Sequence, residues 1–92
     1  MNLRLQDKVV IVTGGAKGIG KGIVEVLAKE GAIPVIVGRN ATDNQLVVDE
    51  IEAAGGKAWQ VSAELSIPEE CEKAVKAVIE KFDRIEGLIN NA

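Results

Sequence analysis

The chain has 92 residues, of which 47% are hydrophobic and 2% aromatic, and its formal net charge is −3. This length allows one modest core, and the scattered basic residues with so few aromatic ones exclude a typical nucleic-acid-binding surface. Cys71 is the only cysteine and there is no histidine. These counts exclude an internal disulfide and a zinc site built from these residues. We expect a cytoplasmic protein, and we expect no membrane span.

The first half of the chain predicts a strand, a helix and a second strand. Residues 8–13 form a β-branched run without alternation, typical of a strand buried on both faces. Three closely spaced glycines follow, and then apolar residues recur with helical periodicity until Gly31. The second strand, residues 33–37, tolerates Pro34 near its start and is followed by Gly38, Arg39 and Asn40.

The second half predicts two more helices and two more strands. Thr42 with Gln45, and later Ser66 with Glu69, resemble capping boxes at helix starts. The apolar stripe expected on the second helix, which stops at residues 55–56, consists of Leu46, Val47, Ile51 and Ala54. The stripe expected on the third consists of Cys71, Ala74, Val75, Val78, Ile79 and Phe82. Residues 57–61 and 87–90 are the third and fourth strands.

The order β-α-β-α-β-α-β with short connections predicts parallel strands and right-handed crossovers. The fold class is therefore α/β, a partial Rossmann-type doubly wound parallel sheet that is truncated after the fourth strand. We assign residues 1–92 to the N-terminal part of a single dinucleotide-binding domain, with no second domain.

The turn between the first strand and the first helix carries most of the chemical information. Its glycines suit a bound pyrophosphate: Gly14 permits a tight turn, Gly18 lets phosphate oxygens approach the backbone, and Gly20 allows close packing of the helix. The free N–H groups at the helix start favour an anion. A tight structural turn without a ligand is the alternative interpretation.

A nucleoside-triphosphate-binding loop is a second alternative, because Gly15, Gly20 and Lys21 have the spacing G-x-x-x-x-G-K. The next residue is Gly22, which has no hydroxyl to hold magnesium. The sequence therefore disfavours this loop.

The spacing Thr-Gly-x-x-x-Gly-x-Gly, at Thr13, Gly14, Gly18 and Gly20, resembles the fingerprint of the short-chain dehydrogenase/reductase family. The terminal Asn-Asn-Ala, residues 90–92, resembles the start of that family's Asn-Asn-Ala-Gly motif. The resemblance implies a cofactor beside a set of residues along the glycine turn and at the chain end: Gly14, Gly15, Ala16, Lys17, Gly18, Ile19, Gly20 and Asn91.

The same resemblance implies that Glu64 and Leu65 border the adenine, where the family usually has Asp-Val. Glutamate at position 64 departs from that pattern, and an exposed loop carboxylate without a ligand is the alternative.

Charge at the end of the second strand indicates which cofactor is bound. An NAD site usually has an acidic residue there, whereas this strand is followed by Arg39. Arg39 and Lys17 are suited to the 2′-phosphate of NADP, so NADP is favoured over NAD. The alternative is that both are solvated surface charges.

The resemblance implies an oxidoreductase that interconverts an alcohol and a carbonyl in a small-molecule substrate, and a homo-oligomer, either tetramer or dimer. Residues 2–12 and 30–37 are similar to sugar dehydrogenases of the L-fucose type, with acyl-carrier-protein ketoreductases an open alternative. No catalytic residue can be assigned, because the family's tyrosine has no counterpart in a chain without tyrosine, and we expect the chain alone to be inactive.

A non-catalytic dinucleotide-binding or interaction module is the alternative function. For a four-stranded half-sheet we expect the first strand to be exposed along one edge, which is a hazard for a stand-alone monomer.

Overall fold

The computed structural model describes residues 3–91, so Ala92 of the Asn-Asn-Ala motif lies outside the described residues, as do Met1 and Asn2. Strands and helices alternate as predicted. After a short 3-10 turn at Leu3–Leu5, the elements are β1 Val9–Thr13, α1 Gly18–Lys29, β2 Ile33–Gly38, α2 Ala41–Ala53, β3 Trp59–Ser62, α3 Pro68–Phe82 and β4 Gly87–Asn90. No helix in this described part of the chain is long and apolar enough to cross a membrane.

The four strands form one parallel sheet in the order β3-β2-β1-β4. In this register Ile11 lies between Val35 of β2 and Leu88 of β4. The expectation that the first strand lies exposed along one edge is therefore wrong, because β4 pairs with its free side. The edge strands are β3 and β4.

The sheet is covered on both faces, which makes the fold a doubly wound α/β structure of the Rossmann type. On one face Val12 and Ile36 pack with Val24 of α1 and with α2. On the other face Ile11 and Val35 pack with α3. All five residues of β1 are buried, as the absence of alternation predicts.

Pro34 is accommodated inside the sheet because of where β3 begins. The N–H of Ile33 donates to the Lys8 carbonyl beside β1, so the nitrogen of Pro34 faces the β3 side. Pairing with β3 starts one residue later, at Val35 with Trp59. The β2–β3 ladder therefore has no hydrogen bond that would need an N–H at Pro34.

The prediction for the start and the stripe of α2 is partly wrong. The N-cap is Asn40, whose side chain accepts a hydrogen bond from the Asp43 N–H at 3.0 Å, so Thr42 lies inside the helix. Leu46 is 56% exposed, while the neighbouring Val48 is buried with Val47 and Ile51. Ala54, the other predicted stripe residue that is exposed, is the C-cap and lies beyond the helix. The buried face is set by how α2 packs on the sheet, through Val47, Val48 and Ile51.

The capping box expected for α3 is also wrong. The N-cap is Ile67, which makes no side-chain hydrogen bond to the helix, and Pro68 opens the first turn. The Ser66 hydroxyl instead donates to Glu64 Oε1 at 3.1 Å. Ala74 and Val78 are buried as predicted, but Val75 and Ile79 are 40% and 45% exposed, because α3 contacts the sheet along a narrower line than its apolar stripe.

Candidate cofactor site

The carboxyl ends of β1 and β4 lie side by side at the point where the chain divides between the two faces of the sheet. The chain leaves β1 into α1 on one face, whereas β3 leads into α3 on the other. In open α/β sheets, ligands bind in the crevice at such a reversal of strand order. A ligand site is therefore expected at this edge of the sheet.

The glycine turn has the backbone geometry that its sequence predicts. Gly14 and Gly18 have positive φ angles of 66° and 54°, which favour glycine. A Cβ on Gly20 would collide with the Gly14 carbonyl oxygen and lie 2.6 Å from Asn91 Nδ2. Gly20 thus permits the close contact between α1 and the turn, and a Cβ on Gly18 would meet nothing within 4 Å.

The N-terminus of α1 is suited to an anion. Its N-cap residue, Lys17, is extended and makes no side-chain hydrogen bond to the first turn. The first N–H groups of a helix have no partner within the helix, and they carry the positive end of its dipole. Ile19, in this first turn, is 78% exposed. These groups fit a pyrophosphate, because Gly18 leaves open space beside them.

The other predicted residues of the turn differ in where they face. Ala16 and Lys17 line the cleft described below. Gly15 is buried, and a Cβ there would point at Val24 in the core, 2.9 Å from its Cγ2 atom. Gly15 therefore contributes backbone and close packing.

The end of β4 is hydrogen-bonded to the end of β1 through the hydroxyl of Thr13. Thr13 Oγ1 donates to Asn90 Oδ1 at 3.0 Å and accepts from the Asn91 N–H at 2.9 Å. Asn91 Nδ2 in turn donates to the Gly14 carbonyl at 3.5 Å. The structure thus brings Asn91 against the glycine turn, as predicted from two motifs that are far apart in the sequence.

Lys17 and Arg39 line the same cleft, which has a volume of about 230 Å³. It lies between the glycine turn and the end of β2, and the remaining lining residues are Gly14, Ala16, Gly38, Asn40, Asp43 and Asn44. Lys17 Nζ lies 3.3 Å from Asp43 Oδ2, and Arg39 Nη1 lies 3.8 Å from Glu64 Oε2. Both predicted cations are therefore present at one site, and each is paired with a carboxylate.

Sequence reasoning missed Asp43 and Asn44. Asp43 reaches the cleft because α2 begins directly after β2, so the first turn of α2 faces the end of that strand. Asn40, as a helix-capping residue type, is the sequence signal that could have located this first turn. Asn44 is 1% exposed, and its amide donates to the Gly38 carbonyl at 3.1 Å and to Gln60 Oε1 at 3.2 Å. Asn44 thereby holds the backbone just before Arg39.

Glu64 and Leu65 follow β3, as predicted, but they differ in environment. Glu64 Oε1 accepts hydrogen bonds from the N–H and the hydroxyl of Ser66, at 3.3 and 3.1 Å. Leu65 packs half-buried against the core on the α3 face. The Glu64 side chain is therefore held in place near Arg39, whereas that of Leu65 serves packing.

The structure agrees with the argument against a nucleoside-triphosphate-binding loop. Lys21 Nζ lies 3.4 Å from Glu50 Oε2 on α2, away from the glycine turn. Residues 3–91 contain no cluster of three carboxylate or cysteine side chains that could hold a metal ion.

Comparisons with known proteins agree with this geometry. A model of the short chain dehydrogenase family matches residues 8–92. An uncharacterized oxidoreductase of Methylorubrum extorquens is 40% identical over 90 residues, which cover 97% of this chain and 36% of that protein. The chain therefore spans about a third of the length of this relative.

Two solved structures superpose on the chain. A metagenomic short-chain oxidoreductase in complex with NADP has a TM-score of 0.91 at 34% identity, covering 96% of this chain and 40% of its own. An NADH-dependent reductase complexed with NAD has a TM-score of 0.88 at 33% identity, covering 97% and 37%. With the family match over residues 8–92, these similarities show that the chain belongs to the short-chain dehydrogenase/reductase family.

Proposed function

We propose that residues 1–92 are the N-terminal part of a dinucleotide-binding domain in an oxidoreductase that interconverts an alcohol and a carbonyl, with NADP preferred over NAD. The observation that carries this proposal is the convergence of two features at one cleft. One is the N-terminus of α1, whose first N–H groups have no partner within the helix; the other is the pair of cations Lys17 and Arg39.

The glycine turn binds the pyrophosphate in this proposal. N–H groups at the start of α1 donate to the phosphate oxygens, and Gly18 leaves room for them. Asn91 holds the turn from the β4 side through the Gly14 carbonyl. The exposed side chain of Ile19 covers an apolar part of the cofactor.

The adenosine end of the cofactor occupies the cleft between the glycine turn and β2. Arg39 offers a guanidinium that can donate two hydrogen bonds to a 2′-phosphate, and Lys17 adds a second positive charge. Glu64 accepts a hydrogen bond from the adenine amine. One superposed structure contains NADP and the other contains NAD, so these two structures favour neither cofactor. The support for NADP comes from the charges of Lys17 and Arg39.

When bound, the nicotinamide cofactor supplies or accepts a hydride. The residues of this chain orient the cofactor and exclude water from the pyrophosphate, and they do not move the proton that accompanies the hydride. The tyrosine implied by the family has no counterpart in these 92 residues, which contain no tyrosine.

Further parts of the proposal concern the whole protein. We propose a small-molecule alcohol or carbonyl substrate, for which a sugar hydroxyl is one candidate, and a cytoplasmic homo-oligomer. An apolar cleft of about 520 Å³ between α3 and β4, beside the 65% exposed Leu88, supports burial of this face against further protein surface. The sedimentation mass tests the homo-oligomer, and a screen of sugar alcohols and other small alcohols tests the substrate.

Binding of two nucleotide fragments tests the cofactor assignment. Adenosine 2′,5′-bisphosphate and adenosine 5′-monophosphate differ only in the 2′-phosphate. A hydrogen bond to a charged group is worth about 1.5–3 kcal/mol, so Arg39→Ala should weaken binding of the bisphosphate about tenfold or more. Binding of the monophosphate should stay unchanged.

Lys73→Ala is the matched control, because Lys73 is an exposed cation on α3 that does not line the cleft. Calorimetric titration of the three proteins measures the affinities. A wild-type protein that binds neither fragment contradicts the proposed function, and equal losses for both fragments contradict the assignment of Arg39 to the 2′-phosphate.

A further inference from the structure

The two cations of the cleft are held by carboxylates that are less exposed than they are. The side chains of Lys17 and Arg39 are 80% and 79% exposed, whereas those of Asp43 and Glu64 are 32% and 36% exposed. The formal charges of these four side chains sum to zero. The basic character that the sequence predicts for this cleft is therefore offset by Asp43, which lines the cleft, and by Glu64, which lies beside it.

Each carboxylate is fixed by its own surroundings. Asp43 lies in the first turn of α2, where the helix dipole favours a negative charge, and its N–H is capped by Asn40. Glu64 uses Oε1 to accept the two hydrogen bonds from Ser66, which leaves Oε2 toward Arg39. The Glu64 carboxylate is thus anchored by Ser66, and the position of Asp43 is fixed through its backbone at the start of α2.

We propose that Asp43 and Glu64 are specificity-determining residues that limit the preference for NADP. Asp43 pairs with Lys17 and Glu64 with Arg39, and a 2′-phosphate has to compete with these carboxylates for the two cations. NAD has no 2′-phosphate, so its binding leaves both ion pairs intact. This inference rests on the proposed function, since it concerns how the same cleft distinguishes the two cofactors.

The size of the effect follows from the exposure of the pairs. Exposed ion pairs contribute from almost nothing to about a fivefold change in an equilibrium constant. A phosphate near the carboxylates adds a repulsion that water and salt screen strongly. We therefore expect removal of either carboxylate to strengthen binding of a 2′-phosphate by about twofold to fivefold, and removal of both by about tenfold.

The experiment compares Asp43→Asn, Glu64→Gln and the double variant with the wild-type protein. Both substitutions keep the shape of the side chain and one carbonyl acceptor while they remove the charge. Adenosine 2′,5′-bisphosphate and adenosine 5′-monophosphate are titrated into each protein at low salt. Glu80→Gln is the control, since it removes one exposed carboxylate near the far end of α3.

The expected result is a higher affinity for the bisphosphate relative to the monophosphate in the three variants, and no change in this ratio in Glu80→Gln. Binding of the monophosphate itself should be unchanged in Asp43→Asn. Glu64 also contacts the adenine in the proposed function, so Glu64→Gln and the double variant are compared with the wild-type protein by the ratio of the two affinities. The gain from Asp43→Asn should shrink in a Lys17→Ala background, because Asp43 acts by pairing with Lys17. A gain that persists undiminished in that background overturns this assignment.

Failure of this inference is distinguishable from failure of the proposed function. If the wild-type protein binds the bisphosphate and the ratio of bisphosphate to monophosphate affinity does not rise in the three variants, only the role of the two carboxylates is overturned. If the wild-type protein binds neither fragment, the proposed cofactor site is overturned together with it. Circular dichroism of each variant establishes that the fold is retained.

Discussion

Replacing Gly20 with alanine adds a methyl group where α1 touches the glycine turn. The new Cβ would collide with the Gly14 carbonyl oxygen and lie 2.6 Å from Asn91 Nδ2. The carbonyl belongs to the backbone, so it has no side-chain rotamer by which to move aside. The helix has to shift, and the contact between the β1–α1 turn and β4 is disturbed.

The expected change in the free energy of unfolding of Gly20→Ala follows from two opposing effects. Insertion of a methyl group into a packed contact costs about 1–3 kcal/mol, and we take the upper end because the neighbour is backbone. Alanine stabilises a helix relative to glycine by about 0.5–1 kcal/mol. We therefore expect Gly20→Ala to lower the free energy of unfolding by about 2 kcal/mol.

Gly22→Ala is the matched control on the same helix. A Cβ on Gly22 would meet nothing within 4 Å, so only the helix preference acts and the variant should gain about 0.5–1 kcal/mol. Urea unfolding followed by circular dichroism, without nucleotide, measures both variants. Equal stability of the two variants would refute the packing assigned to Gly20.

Three further predictions concern binding, a buried hydroxyl and pH. Gly18→Ala places a methyl group in the space proposed for the pyrophosphate and should weaken dinucleotide binding more than tenfold in a titration; Gly55→Ala, at a glycine that also has positive φ and open space, should leave binding unchanged. Thr13→Val leaves the groups of Asn90 and Asn91 unpaired and should cost about 1–3 kcal/mol in urea unfolding, whereas Thr13→Ser should cost less. The hydrogen bond from Lys57 lowers the pKa of Asp7, so the stability contributed by the Asp7 carboxylate is present above about pH 4 and is lost as pH falls through the lowered pKa. The small stability difference between wild type and Asp7→Asn should therefore disappear in urea unfolding at low pH.

Each of these three has an outcome that would contradict it. Unaltered dinucleotide binding by Gly18→Ala would contradict the proposed position of the pyrophosphate at the glycine turn. Equal stability of Thr13→Val and Thr13→Ser would mean that the hydroxyl contributes nothing. A difference between wild type and Asp7→Asn that grows as pH falls would have the wrong sign for a lowered pKa.

The alternation of strands and helices could be predicted because each element has a strong local signal. The unbroken apolar run of β1 and the glycines after it determine both burial and direction. The position of β4 beside β1 could not be obtained in this way, since pairing joins Val10 to Gly87 across most of the chain. The strand order of a doubly wound Rossmann-type sheet does place β4 beside β1, so the expectation of β1 at an edge is inconsistent with the predicted fold class.

The helix starts show the limit of short motifs. A serine or threonine three residues before a glutamate or glutamine satisfies the capping-box pattern twice, yet neither pair caps a helix. Asn40 caps α2 instead, and the Ser66 hydroxyl is used by Glu64. A hydroxyl near a predicted helix start has several local acceptors, and tertiary structure selects among them.

Some residues of the site could also be predicted from the sequence, whereas others could not. Lys17 and Asn91 are predicted from motif positions and Arg39 from the charge after the second strand. The structure places all three around the glycine turn and its cleft. The carboxylate of Asp43 and the buried amide of Asn44 were missed because their importance depends on how α2 is seated against β2. Charge counted along the sequence therefore overestimates the basic character of this cleft.

The most direct test is a crystal structure of the protein grown with NADP. The account predicts pyrophosphate oxygens within hydrogen-bonding distance, about 2.7–3.2 Å, of N–H groups at the start of α1, and the 2′-phosphate between Lys17 and Arg39. A cofactor bound elsewhere, or a 2′-phosphate directed away from both cations, would contradict it.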